Sequence, residues 1–218
     1  MIRVLIADDQ PLIRSGLRSI LEREDDIDVV GEAVDGAQAV ALATTAAPDV
    51  VLMDIRMPVI DGISATRQIL QRTDVRPRVV ILTTFDLDEY IHAGLCAGAS
   101  GFILKDSDPA TVVAAVRAVH DGDAILSPAV TVRLIASYVQ TPNPSAALPE
   151  TLTERETQVL RAMARGLSNA EIGNRLYLSE ATVKTHVTAV LAKLGVRDRL
   201  QAVVAAYESG AVRPQPGD

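Results

Sequence analysis

The chain has one cysteine, no tryptophan, two phenylalanines and four tyrosines among 218 residues. A lone Cys96 rules out an internal disulfide, and His92, His120 and His186 are scattered without the spacing of a zinc or haem site. Long hydrophobic runs are missing as well. Nothing approaches the roughly 20 apolar residues that span a bilayer, and the opening "MIRVLIADDQ" meets two aspartates too soon for a secretion signal. A cytoplasmic protein with no membrane partner is expected. With aromatics at 3% and hydrophobic residues at 48%, the cores must be built from Ala, Val, Leu and Ile, and the length suffices for two modest domains.

Basic charge is also in short supply, and unevenly so. The formal charge is −7: residues 1–149 carry 12 Lys/Arg against 20 Asp/Glu, a net of −8, and residues 150–218 carry 9 against 8, a net of +1. So small an excess of cations points only weakly to nucleic acid, and a role of that kind has to come from geometry.

What is present is a βα repeat. Between Ile2 and His120, the runs "IRVLIA", "DVVGEAV", "DVVLMD", "RVVILT" and "SGFILK" read as strands, with amphipathic stretches between them. Five such strands with crossover helices predict an α/β unit, a parallel sheet covered on both faces in a doubly wound arrangement. Residues 121–139 read as a turn and a connecting helix, and "TPNPSAALPE" from Thr141, with three prolines, as the interdomain linker. The remainder is wholly helical. "TERE", "SNAE" and "DRLQ" each set a capping residue three positions before Glu or Gln, Ser179 can cap a fourth segment, and Gly166 and Gly195 stand where helices should stop. Four short helices follow.

Open parallel sheets bind ligands beyond the carboxyl ends of their strands. Asp8 and Asp9 follow the first strand, Asp54 ends the third, Thr83 and Thr84 end the fourth, and Lys105 follows the fifth. Three carboxylates brought together repel one another unless protonated or neutralised by a cation, and their hard oxygens suit Mg²⁺. A carboxylate there can attack a phosphoryl group, with the metal, a lysine and a hydroxyl balancing the transferred charge. Asp54, Mg²⁺, Lys105 and Thr83 fill those roles. Taken singly, each of these residues is more often a helix cap, a turn former or a solvated charge. Four strand ends carrying the required chemistry together favour the site.

The strings "ADDQ", "LMDIRMPVIDG", "ILTTFD" and "GASGFILKD", in order and spacing, resemble the receiver domain of two-component response regulators over roughly the first 120 residues. The resemblance implies a flavodoxin-like sheet of order 2-1-3-4-5 over residues 1–121. It further implies that Asp54 accepts phosphate from a sensor histidine kinase and that Mg²⁺ is held by Asp8, Asp9, Asp54 and the backbone carbonyl of Arg56. Thr83 and Lys105 then read the phosphoryl group. Phe102 stands at the family's aromatic switch position and has no hydroxyl, so coupling to Thr83 should run through ring packing. Arg56 and Phe85 occupy positions where some relatives carry amides or acids that orient water, and slow self-dephosphorylation is expected.

In a helix beginning after Ser179, Val183, Val187, Val190, Leu191 and Leu194 share one face, while Lys184, Thr185 and Thr188 project from the other. With the shorter "SNAEIGNRLYL" before it, this has the form of a helix-turn-helix, whose second helix enters the major groove. The string from "LTERETQVL" to "DRLQAV" resembles the LuxR-type DNA-binding domain and, with the receiver, places the chain in the NarL/FixJ-like class, with residues 122–148 as linker and 149–212 as DNA-binding domain. By that resemblance Lys184, Thr185 and Thr188 meet base edges, Thr182, Lys193 and Arg197 meet phosphates, and the helix after Asp198 contacts a second copy. Thr188 and Ala189 stand where many relatives carry Lys or Arg. Few phosphates are then neutralised, and binding should rely on a homodimer and paired half-sites roughly one helical turn apart.

The expected function is a non-enzymatic transcription regulator, in which phosphorylation of Asp54 controls dimerisation and binding to double-stranded promoter DNA. Two rivals are an aspartate-nucleophile phosphatase, disfavoured because Arg56 stands where its second acid belongs, and a constitutive DNA-binding protein, disfavoured by the intact acidic residues.

Overall fold

A computed structural model describes residues 1–72, 77–83, 88–122, 125–126, 151–209 and 211–212. The chain divides into two compact units, Met1–Val130 and Thr131–Asp218.

In the first unit, β1 (Ile2–Ala7), β2 (Ile27–Ala33), β3 (Val50–Asp54), β4 (Arg78–Thr83) and β5 (Gly101–Leu104) alternate with α1 (Pro11–Leu21), α2 (Gly36–Ala46), α3 (Gly62–Arg72), α4 (Asp88–Ala97) and α5 (Pro109–His120). All pairings are parallel and the order is β2-β1-β3-β4-β5, as expected. Beyond β5 lies a strand that the sequence does not announce: β6 (Ile125–Leu126) adds two residues in parallel to Gly101 and Phe102, within the stretch read as a turn and helix. The rest of that predicted helix and the proline-rich linker lie outside the described residues.

The sheet is buried on both faces because its strands are apolar at successive positions. Val4, Ile6, Val50, Leu52, Val80 and Leu82 pack with Leu17 and Leu21 of α1 and Val112, Val116 and Val119 of α5. The alternate residues Leu5, Val51, Met53, Ile81 and Phe102 are equally inaccessible and face the other side. Parallel register sets Asp54 beside Leu82 and Thr83 beside Leu104, so the chemically active residues all emerge at the same rim.

The second unit is helical among its described residues: α6 (Glu154–Ala164), α7 (Asn169–Leu176), α8 (Glu180–Leu194) and α9 (Arg199–Glu208). Thr153 and Ser168 form full capping boxes with Glu156 and Glu171, Ser179 and Asp198 cap α8 and α9, and Gly195 ends α8 in the left-handed conformation. Val159, Leu160, Met163, Ile172, Val183 and Val187 form its core.

Candidate functional site

The acidic pocket is assembled from strand ends. Asp8 is wholly buried, Asp54 is 4% exposed and Asp9 is open to solvent. Each of the three offers an oxygen, and these oxygens lie within 4.8 Å of one another. Lys105 reaches in from beyond β5: its Nζ is 2.7 Å from Asp8 Oδ2 and 2.9 Å from Asp54 Oδ2. Its backbone N–H donates to the carbonyl of Thr83 at 2.8 Å, which fixes the lysine beside the buried threonine.

Local structure explains the placement. Asp8 Oδ1 accepts from the Gln10 N–H at 2.8 Å, so the first aspartate of the pair also shapes the entry to α1, while Gln10 itself makes no side-chain cap. Arg14 of α1 donates from Nη1 to the Asp8 carbonyl at 2.8 Å and lies 3.5 Å from Glu32 of β2. That brace is not evident in the sequence, because nothing in the helix period of α1 singles out Arg14. Behind Asp54, Gly62 opens α3 so close to the strand that a Cβ there would stand 1.8 Å from the Asp54 carbonyl oxygen. Glycine is required by contact rather than by conformation.

Burial pushes the Asp54 carboxyl above its ordinary value; the hydrogen bond and charge of Lys105 oppose the rise, and the charge of Asp8 adds to it. For Lys105, burial works toward a lower value, but its bonds to Asp8 and Asp54 outweigh it and hold the ammonium above the usual range. One lysine facing three carboxylates leaves an excess of negative charge on hard oxygen donors. Asp9, at the solvent edge, leaves room for water ligands. Such a donor set fits a hard divalent cation.

Arg56 is exposed, with its guanidinium 5.6 Å from the ring centroid of Tyr90. Phe102 is fully buried, in keeping with a role in packing. Thr84 and Phe85 lie outside the described residues.

The second unit presents a different surface. Along α8, Lys184, Thr185 and Thr188 are exposed on the side away from buried Val183, Val187 and Val190. The Thr185 hydroxyl donates to the Ala181 carbonyl at 3.1 Å and that of Thr188 to the Lys184 carbonyl at 3.0 Å. Each threonine hydroxyl therefore spends its proton on its own helix and keeps an oxygen able to accept. The three residues expected at phosphates are placed differently. Lys193 Nζ is bound to Glu156 at 2.8 and 2.6 Å, the Thr182 hydroxyl shares a 2.8 Å bond with the capping Ser179, and Arg197 Nε lies 3.5 Å from buried Asp198. All three have structural partners inside the unit.

No helix among the described residues is long and apolar enough to cross a membrane. Residues 4–117 match the response regulator receiver domain, and residues 150–206 match the bacterial regulatory proteins of the luxR family. The chain is 44% identical to the transcriptional regulatory protein YxjL of Bacillus subtilis over 97% of its own length and 98% of that protein. It is 41% identical to the transcriptional regulatory protein LiaR of the same organism over 97% and 100%. Among solved structures it resembles the response regulator ChrA of a heme-sensing two-component system, with 41% identity, a TM-score of 0.53 and coverage of 97% and 98%. It also resembles RcsB, solved as two dimers bound to two parallel DNAs, with 25% identity, a TM-score of 0.56 and coverage of 94% and 98%.

Proposed function

The chain belongs to the two-component response regulators that join a receiver domain to a LuxR-type DNA-binding domain, and from that premise we propose how its own residues carry the signal. It is a transcriptional regulator rather than a metabolic enzyme. Asp54 is the phosphoacceptor. Its carboxylate attacks the phosphorus of a phosphohistidine on a sensor kinase; the new P–O bond forms as the P–N bond breaks, and the imidazole leaves with the electron pair.

Lys105 and Thr83 receive the phosphoryl oxygens, one as a cation and the other as a hydroxyl donor. The lysine is already in place, so the resting pocket is organised around a positive charge that the phosphoryl group can take over. Asp8, Asp9, Asp54 and the carbonyl of Arg56 would hold Mg²⁺, which when bound offsets the charge developing on the transferred group. Ring packing at Phe102, beneath the site, registers the change. Self-phosphorylation from small phosphodonors and slow self-dephosphorylation are the limits of its chemistry.

The output is a homodimer on promoter DNA in the cytoplasm, with Lys184, Thr185 and Thr188 reading base edges. Thr182, Lys193 and Arg197 make at most secondary contacts to phosphates, since each is engaged within the unit. Residues 1–121, 122–148 and 149–212 serve as receiver, linker and DNA-binding domain.

The observation that carries the reading is the Lys105 ammonium bridging Asp8 and Asp54 at the rim of the sheet. Intact-mass measurement after incubation with acetyl phosphate and Mg²⁺ tests it: one phosphoryl adduct is expected on the wild type and none on Asp54→Asn. Equal labelling of both would refute it.

A further inference from the structure

The loop after β3 is braced on two sides. Toward α3, Gly62 presses on the Asp54 carbonyl, and its N–H donates to Ile55 at 2.9 Å. Toward α4, the exposed Arg56 guanidinium lies over the Tyr90 ring, 5.6 Å from its centroid. Tyr90 is half-buried in the first turn of α4. One turn later on the same face, Gly94 receives the Phe102 ring so closely that a methyl group there would stand 2.9 Å from Cζ. Helix α4 therefore meets the phosphoryl machinery at two points, the loop at Tyr90 and the buried ring of β5 at Gly94.

We propose that Tyr90 is a positioning residue, whose ring, through Arg56, couples the state of the acidic pocket to the position of α4. The inference deepens the reading of Asp54 as phosphoacceptor and rests on it. In the resting pocket the guanidinium faces the negative surface of an aromatic ring. A phosphoryl group two residues away in sequence competes for the same cation, and a charge-assisted bond to an anion is the stronger interaction. Arg56 also joins the two events through one backbone, since its carbonyl is the proposed metal ligand and its side chain is the tie to α4. Each state of the pocket then favours a different setting of the helix, which is the condition for coupling between two sites. The ring carries the contact and the phenol oxygen does not, so Phe or Trp at position 90 preserves it and Leu removes it.

Cys96 is exposed on α4 and is the sole cysteine, so an environment-sensitive thiol fluorophore reports on that helix in the full chain. On addition of Mg²⁺ and acetyl phosphate, wild type, Tyr90→Phe and Tyr90→Trp should give closely similar changes in emission. Tyr90→Leu should incorporate phosphate at Asp54 yet lose at least half of the change, and adding Arg56→Met to it should remove nothing more. A full response from Tyr90→Leu, a further loss in the double variant, or no response from wild type that has incorporated phosphate would overturn the proposal. Failure of the wild type to incorporate phosphate beyond an Asp54→Asn control would instead overturn the reading of Asp54.

Discussion

Lys105 Nζ sits 2.9 Å from Asp54 Oδ2 and is shared with Asp8 at 2.7 Å, so one ammonium holds two buried carboxylates at the rim of the sheet. Removing the lysine leaves two like charges facing each other with little solvent around them. Lys105→Met should lower the stability of the first unit by about 3 kcal/mol at neutral pH. The loss should be smaller at pH 5, where protonation of a carboxylate already raised by burial relieves the repulsion, and smaller again with added Mg²⁺. Urea denaturation at the two pH values, with and without Mg²⁺, checks all three statements.

Glycine at position 62 is set by the Asp54 carbonyl. A Cβ would lie 1.8 Å from that oxygen and 3.0 Å from Met53 Cγ, so backbone has to move. Gly62→Ala should cost about 3 kcal/mol and slow phosphoryl transfer by displacing the acceptor. Gly16, exposed in α1 with nothing within 4 Å of its Cβ position, is the contrast. Gly16→Ala should stabilise by about 0.5–1 kcal/mol. Equal effects at the two sites would contradict the contact argument.

In the second unit, Glu156 accepts from Lys193 and from the Thr153 backbone, and these bonds bring its carboxyl down to about 2. A group whose value falls on folding stabilises the native state when ionised. The contribution is full above its ordinary value of about 4.3 and is lost as pH falls toward about 2. The melting midpoint of this unit should therefore drop through that window, and Glu156→Gln should flatten the dependence while lowering stability at pH 7. A scan of melting temperature against pH for both proteins tests this.

Lys184 and Lys193 should separate binding from folding. Lys184 is exposed on α8, so Lys184→Ala should leave the melting temperature unchanged and weaken discrimination at a base pair by about 1–3 kcal/mol. Lys193→Ala breaks the pair with Glu156 and should lower the melting temperature, with a smaller effect on DNA affinity. Thr185→Val removes the hydroxyl that bonds Ala181 and keeps a methyl group, so a preference for thymine at a contacted position should survive it.

Much of this was legible in the chain because it depends on local period and on where strands end. "VVLMD" is apolar throughout and stops at Asp54, and parallel packing alone then brings Asp8, Asp54 and Lys105 to one rim. The capping boxes at Thr153 and Ser168 are likewise written in four-residue strings. Contacts fixed by tertiary register were not legible. Nothing local ties Lys193 to Glu156, 37 positions earlier, or Arg14 to the carbonyl of Asp8, or Arg56 to a ring on α4. The two residues of β6 carry too short a pattern to separate from the turn that precedes them.

In the proposed function, phosphorylation of Asp54 controls DNA binding. It is tested most directly by measuring the affinity for promoter DNA and the oligomeric state of the full chain, with and without acetyl phosphate and Mg²⁺, in wild type and Asp54→Asn. Tighter binding and a shift toward dimer are expected in the treated wild type, with no change in the variant. An identical response from both proteins would contradict it.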